Sequence, residues 1–121
     1  MAVRPEDILE EAGAMIAAAA SEPRARIAAG AAYRAAHHHV RLHPRMAEFR
    51  PDHSGKDHQG LIEFLKQSSD QRLRRLGHDA LPRLRALRII ADYHLGHPFT
   101  AGHAKEAVDI ASEVIFEFLP H

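Results

Sequence analysis

Seven alanines, Ala25, Ala28, Ala29, Ala31, Ala32, Ala35 and Ala36, crowd into one stretch of this 121-residue chain. Alanine has the highest helix propensity, and side chains this small let a neighbouring helix backbone come close. The stretch predicts a helix over residues 22–43 that sits at the centre of a bundle. Ser21, Glu22 and Pro23 in front of it read as an N-cap and first turn, so a preceding helix must stop near Ala20 and reverse at once. That first helix, residues 5–20, opens on Pro5 with Glu6 and Asp7, where no amide partner is needed and acids favour the dipole. Ile8, Ala12, Met15, Ile16 and Ala19 recur along it at helical spacing.

The same periodicity predicts three further helices. Leu61, Ile62, Phe64 and Leu65 mark one over 57–67. Leu84, Leu87, Ala91 and Leu95 mark another over 79–94, which Gly96 and Pro98 end. Thr100 caps the last, 100–119, through Ala104, Val108, Ala111, Ile115 and Leu119. Asp70 to Leu76 reads as an added basic turn, and Pro44, Pro51, His53, Ser54 and Gly55 as a loop. No alternating β-branched run is present, so no strand is expected. The reading is an all-α, four- to five-helix up-and-down bundle in one domain, residues 1–121. Its expected core is Ile8, Met15, Ile27, Ala31, Leu61, Leu65, Leu84, Leu87, Ala91, Val108, Ala111, Ile115 and Leu119.

Sixteen basic residues balance sixteen acidic ones, so composition alone gives no polyanion-binding signal and any nucleic-acid site must be local. Arg72, Arg74, Arg75, Arg83, Arg85 and Arg88 form such a local basic segment; the alternative for them is a solvated face with ion pairs. Cysteine is absent, which excludes disulfides and thiolate metal sites. The first residues lack a basic stretch followed by an apolar signal core, and Ala17 to Ala20 is too short to span a bilayer. A cytoplasmic protein with no membrane contact is expected. Among eleven histidines, His39 and His43 have the i,i+4 spacing that can share a metal, as His94 and His97 straddle a helix end. No third ligand stands beside either pair in sequence, so no metal and no cofactor are assigned.

The string Arg88-Ile89-Ile90-Ala91-Asp92-Tyr93, followed by Pro98-Phe99-Thr100 and an Ala- and Glu-rich helix, resembles the C-terminal half of HEPN proteins. Ala31-Ala32-Tyr33-Arg34-Ala35-Ala36-His37 resembles the family's second helix, and His53-Ser54-Gly55 the loop before its third. Together the matches run from about Ala25 to Leu119. The resemblance implies a helical bundle that forms a homodimer, is often encoded beside a small nucleotidyltransferase acting as antitoxin, and in many members is a metal-independent endoribonuclease toxin. The family's motif is an Arg followed after four to six residues by a His, which Arg88 and His94 satisfy. Ile89 departs from the pattern, since active toxins commonly carry a polar residue there.

Arg88 and His94 are thus the catalytic candidates, with Tyr93, Asp92, Arg85 and His97 as substrate-binding candidates. The chemistry suits RNA: an imidazole can take the 2′-hydroxyl proton near neutrality, and a guanidinium offers a planar fork to phosphate. On one continuous helix, however, a spacing of six at about 100° per residue separates the two side chains by roughly 120°. The pair then needs a helix end or a second subunit. Arg88 and Asp92 are also four apart, so an intrahelical ion pair is the structural alternative. Tyr33 and His37 on the second helix are spaced to approach Arg88 in a bundle, though packing at its centre is the role expected of them first. Two other functions stay open: a non-catalytic HEPN module that binds a nucleotidyltransferase or nucleotide, and a His-rich helical metal-binding protein.

Overall fold

The computed structural model describes residues 3–17, 21–50 and 57–121. Within them the chain is all-α: α1 Pro5–Ala17, α2 Glu22–Leu42, α3 Asp57–Lys66, α4 Gln71–Arg75, α5 Leu81–Tyr93 and α6 Ala101–Glu113. Two wide π-turns, Leu76–Ala80 and Val114–Phe118, continue α4 into α5 and prolong α6, so the described residues make five rods. No helix among them is long and apolar enough to cross a membrane. The ends of the first predicted helix at Ala18 to Ala20, and the His53-Ser54-Gly55 loop, lie outside the described residues.

The caps follow from the sequence. Ser21 Oγ accepts from the Arg24 amide, and Thr100 and His103 form a reciprocal capping box at the start of α6. At α1 the Asp7 carboxylate accepts the Arg4 amide, which satisfies a donor that the helix leaves unpaired. The sequence places the start of the fourth helix near Asp79, and α5 begins at Leu81; the added basic turn read over Asp70 to Leu76 is α4, and the π-turn joins the two into one rod. Asp70 Oδ1 caps Arg72 and Leu73, and the π-turn carries the helix past Gly77 without a break. A Cβ on Gly77 would lie 2.7 Å from Leu65 Cβ and 3.0 Å from the Ile62 carbonyl oxygen. The missing side chain is what lets α3 seat on this turn.

α2 is central and packs against α1, α5 and α6. Ala25, Ala28, Ala29, Ala32, Ala35 and Ala36 are fully buried, and Leu84, Leu87, Val114, Ile115 and Leu119 close over them. Each of these larger side chains contributes about 1.5–3 kcal/mol by leaving water. Ile8, Met15 and Val108 are only partly buried but pack on the same core. Ile27 corrects the expected core, because it is 57% exposed. It lies seven and eleven residues before Arg34 and His38, on the one face of α2 that no helix covers. Leu95 departs from its expected stripe, because it lies beyond α5 and is exposed.

Candidate functional site

The end of α5 is fixed by a residue that periodicity does not single out. A helix leaves its last carbonyls without intrahelical partners. Arg26, on α2 and only 8% exposed, reaches across and donates Nη1 to the carbonyls of Ile90 at 2.9 Å, Ala91 at 3.1 Å and His94 at 3.3 Å. Its Nη2 donates to Leu95, to the His97 carbonyl and, at 3.1 Å, to Glu22 Oε1. That same Oε1 accepts the Phe99 amide at 2.9 Å, and the guanidinium stands 5.6 Å from the Phe99 ring centroid. The Phe99 amide and the Arg26 bond hold the Glu22 carboxyl below its ordinary range. One cation thereby sets where α5 stops.

One turn earlier on α5, Arg88 is handled differently. Its Nε pairs with Asp92 Oδ2 at 2.9 Å, and its guanidinium carbon lies 5.6 Å from the Tyr33 ring centroid and 5.2 Å from that of Tyr93. An Nη2 hydrogen reaches the Tyr93 hydroxyl at 3.4 Å, whereas Nη1 makes no hydrogen bond among the described residues. Gly30 makes room for this group: a Cβ there would stand 3.2 Å from Asp92 Oδ1. The anticipated ion pair therefore exists, and it is combined with two aromatic faces. A cation between aromatic faces is positioned without losing its outward N–H groups.

Behind Arg88 lies a layer of rings from α2 and α3. Tyr33 is 3% exposed and stacks on His37 with centroids 5.8 Å apart; the His58 ring is 4.3 Å from His37. The Tyr33 hydroxyl is 2.5 Å from His58 Nδ1. Burial raises the Tyr33 phenol to about 12, so it stays protonated and donates, which leaves His58 with its proton on Nε2. Burial, followed by the neighbouring His58, Arg41, His38 and Arg88, depresses His37 to about 3. His58 is lowered by burial and then by Arg88 and Arg85, against a raising influence from Asp57. Both imidazoles are neutral at pH 7, so the layer presents neutral polar rings beside one fixed cation.

The sequence-derived site residues divide into two groups. Arg88, Asp92 and Tyr93 are together, Tyr33 and His37 approach them as expected, and Arg85 acts on Tyr33 and His58 through its charge. His94 is the C-cap of α5; its backbone serves Ile90 and Arg26, and its exposed ring makes no hydrogen bond among the described residues. His97 faces α6, where Nδ1 donates to the Pro98 carbonyl and the ring lines a small cavity with Arg83, Leu87 and Phe99. The other arginines of the basic segment are dispersed. Arg83 forms a two-pronged pair with Glu106, Arg74 donates to the carbonyls of Ser68 and Ser69, and Arg75 lies over Phe118. His58 and Arg26 were not singled out by sequence reading. His58 follows directly on Asp57, an acid placed to open α3, but nothing local links it to Tyr33 twenty-five residues away.

An all-α bundle with an arginine held between two tyrosines, one aspartate and two neutral histidines is the class that these observations define. No family model, no curated protein and no solved structure matches the chain.

Proposed function

We propose that this chain is an RNA-directed protein of the HEPN type. It acts as a homodimer, with Arg88 holding a phosphate and His94 supplying the imidazole of a metal-independent endoribonuclease. The observation that supports the reading is the arrangement around Arg88, where aromatic faces and Asp92 orient the guanidinium while Nη1 meets no hydrogen-bond partner among the described residues. In the reaction, the 2′-oxygen attacks phosphorus as an imidazole takes its proton. The P–O5′ bond breaks, a proton passes to the leaving 5′-oxygen, and a 2′,3′-cyclic phosphate and a 5′-hydroxyl result. Arg88 would hold the phosphate oxygens as charge builds on them. Because six residues separate Arg88 from His94, the dimer supplies the geometry by setting His94 of one protomer against Arg88 of the other.

One observation favours a second reading, a non-catalytic module that binds RNA, a nucleotide or a nucleotidyltransferase antitoxin. Asp92 already neutralises Arg88, and Tyr33 occupies the lone pair of His58 that a base would use. The two readings separate in one experiment. Purified protein is incubated with total RNA in EDTA and the product ends are analysed. Cyclic phosphate ends that vanish in both Arg88→Ala and His94→Ala carry the first reading; intact RNA that is nonetheless retained by the protein, and released by Arg88→Ala, carries the second.

A further inference from the structure

At the opposite end of α2, three potential ligands from distant parts of the chain converge. Glu6 opens α1, His39 lies in the last turn of α2, and His121 follows the terminal π-turn; one ligand atom of each lies within 4.8 Å of the other two. His39 is 3% exposed, and its Nε2 sits 2.6 Å from the Leu119 carbonyl oxygen. A carbonyl only accepts, so Nε2 carries the proton and Nδ1 the lone pair. A ligating histidine is oriented by this kind of outer hydrogen bond. Glu6 Oε2 is 3.1 Å from His121 Nε2, and Glu6 Oε1 is buried with no hydrogen-bond partner among the described residues. An unpartnered buried carboxylate oxygen is costly unless a cation or donor meets it.

The surroundings suit a small cation. A cavity of about 160 Å³, walled by Pro5 and Leu42, opens over the three side chains. His43, the spaced neighbour of His39, is otherwise engaged: Nδ1 accepts the Arg45 amide and Nε2 donates to the Pro120 carbonyl. Arg4 borders the cavity, but its guanidinium is drawn to Asp7 at 3.4 Å. Of the spaced pair visible in sequence, His39 belongs to this cluster and His43 does not.

We propose that Glu6, His39 and His121 bind one divalent cation of the zinc class through two imidazole nitrogens and a carboxylate, with water in the fourth position. Zinc–nitrogen and zinc–oxygen bonds of about 2.0–2.2 Å in a tetrahedron need ligand atoms about 3.4 Å apart, so the cluster contracts on binding. His121 is exposed and free to make most of that movement. The cation would close a loop between residues 6 and 121, and binding to the folded chain alone would stabilise it. This site is separate from Arg88, and its role is to hold the fold together.

The test uses the full chain with cobalt(II) as a visible probe and zinc in thermal unfolding. The parent should take up one cobalt per chain with the intense absorption of a four-coordinate ion, and zinc should raise its Tm. His121→Ala and Glu6→Gln, both at positions that tolerate change without opening the core, should each weaken binding at least about tenfold. His43→Ala should leave it intact. Absence of saturable one-to-one binding in the parent, or its retention in either His121→Ala or Glu6→Gln, would overturn the proposal.

Discussion

Arg26 and Arg88 sit on facing helices, and the fold uses the same side chain in opposite ways. Arg26 is buried, and its Nη donors go to backbone carbonyls and Glu22, so nothing is left for a ligand. Arg88 is partly buried, is fixed by two rings and one carboxylate, and has no partner for Nη1 among the described residues. The lesson concerns what fixes a cation. Hydrogen bonds to carbonyls consume its donors, while aromatic faces and a single side-on carboxylate position it and leave donors to spare.

The largest effect should come from breaking the first half of that contrast. Arg26→Ala strips partners from several carbonyls and from Glu22 at once, and urea unfolding should show a loss of about 3–5 kcal/mol. Arg26→Lys should recover little, since a point charge cannot fan across the same carbonyls. A loss below about 1 kcal/mol would mean that water replaces the guanidinium freely and that the two arginines are less different than described.

Tyr33→Phe probes the layer behind Arg88. It removes the hydroxyl that donates to His58 while keeping the ring, and should cost about 1 kcal/mol. It should also raise the His58 pKa, read by NMR titration, because the bond stabilising its neutral form is gone. An unchanged His58 titration would show that the hydroxyl does not set its tautomer.

A smaller effect is expected at the ion pair itself. In a double-mutant cycle, Arg88→Ala and Asp92→Ala should show a coupling of about 0.3–1 kcal/mol, the range of a partly exposed i,i+4 pair. RNA retention should nevertheless be lost in Arg88→Ala and kept in Asp92→Ala. Coupling several times larger, with no change in RNA retention, would move Arg88 into the same structural class as Arg26.

The last expected effect is silent at neutral pH and shows only as a slope. His37 has an ordinary value of 6.5 and is depressed to about 3 in the fold, so between those values the unfolded chain binds a proton that the folded chain refuses. Stability contributed by this site is therefore complete above pH 6.5 and declines as the pH falls toward 3; His58 acts in the same direction. Thermal unfolding of His37→Leu across that window should be flatter than that of the parent. Parallel curves would show that His37 is protonated in the folded chain too.

Much of this was legible beforehand, for local reasons. The alanines of α2, the Ser21 and Thr100 caps and the periodic leucines of α5 each act within a few residues, and the five rods follow from them. Ile27 was misread because spacing gives a face but not which of several faces meets a neighbour. The turn over Asp70 to Leu76 and the helix after Asp79 are legible as separate pieces, but not their fusion into one rod, because a π-turn has no local sequence signature to set beside the Asp70 cap. At the site, Arg88, Asp92 and Tyr93 lie within two turns and could be grouped on sight. His58, Arg26 and the Glu6–His121 contact are long-range, and no local pattern encodes them.

The π-turn at Leu76–Ala80 has one more consequence. Its closing bond runs from the Leu81 amide to the Leu76 carbonyl, one residue longer than an α-helical bond. An extra residue retards the rotational phase of everything downstream by about 100°. Upstream, Arg72 and Arg75 look toward Glu113, Glu117 and Phe118; downstream, Arg85 and Arg88 look toward α2 and α3. Deleting a single residue between Leu76 and Ala80 would leave composition, charge and helix content almost untouched, yet would swing Arg88 away from Tyr33. Chain length in this one turn aims the cation before Asp92 and the two rings hold it.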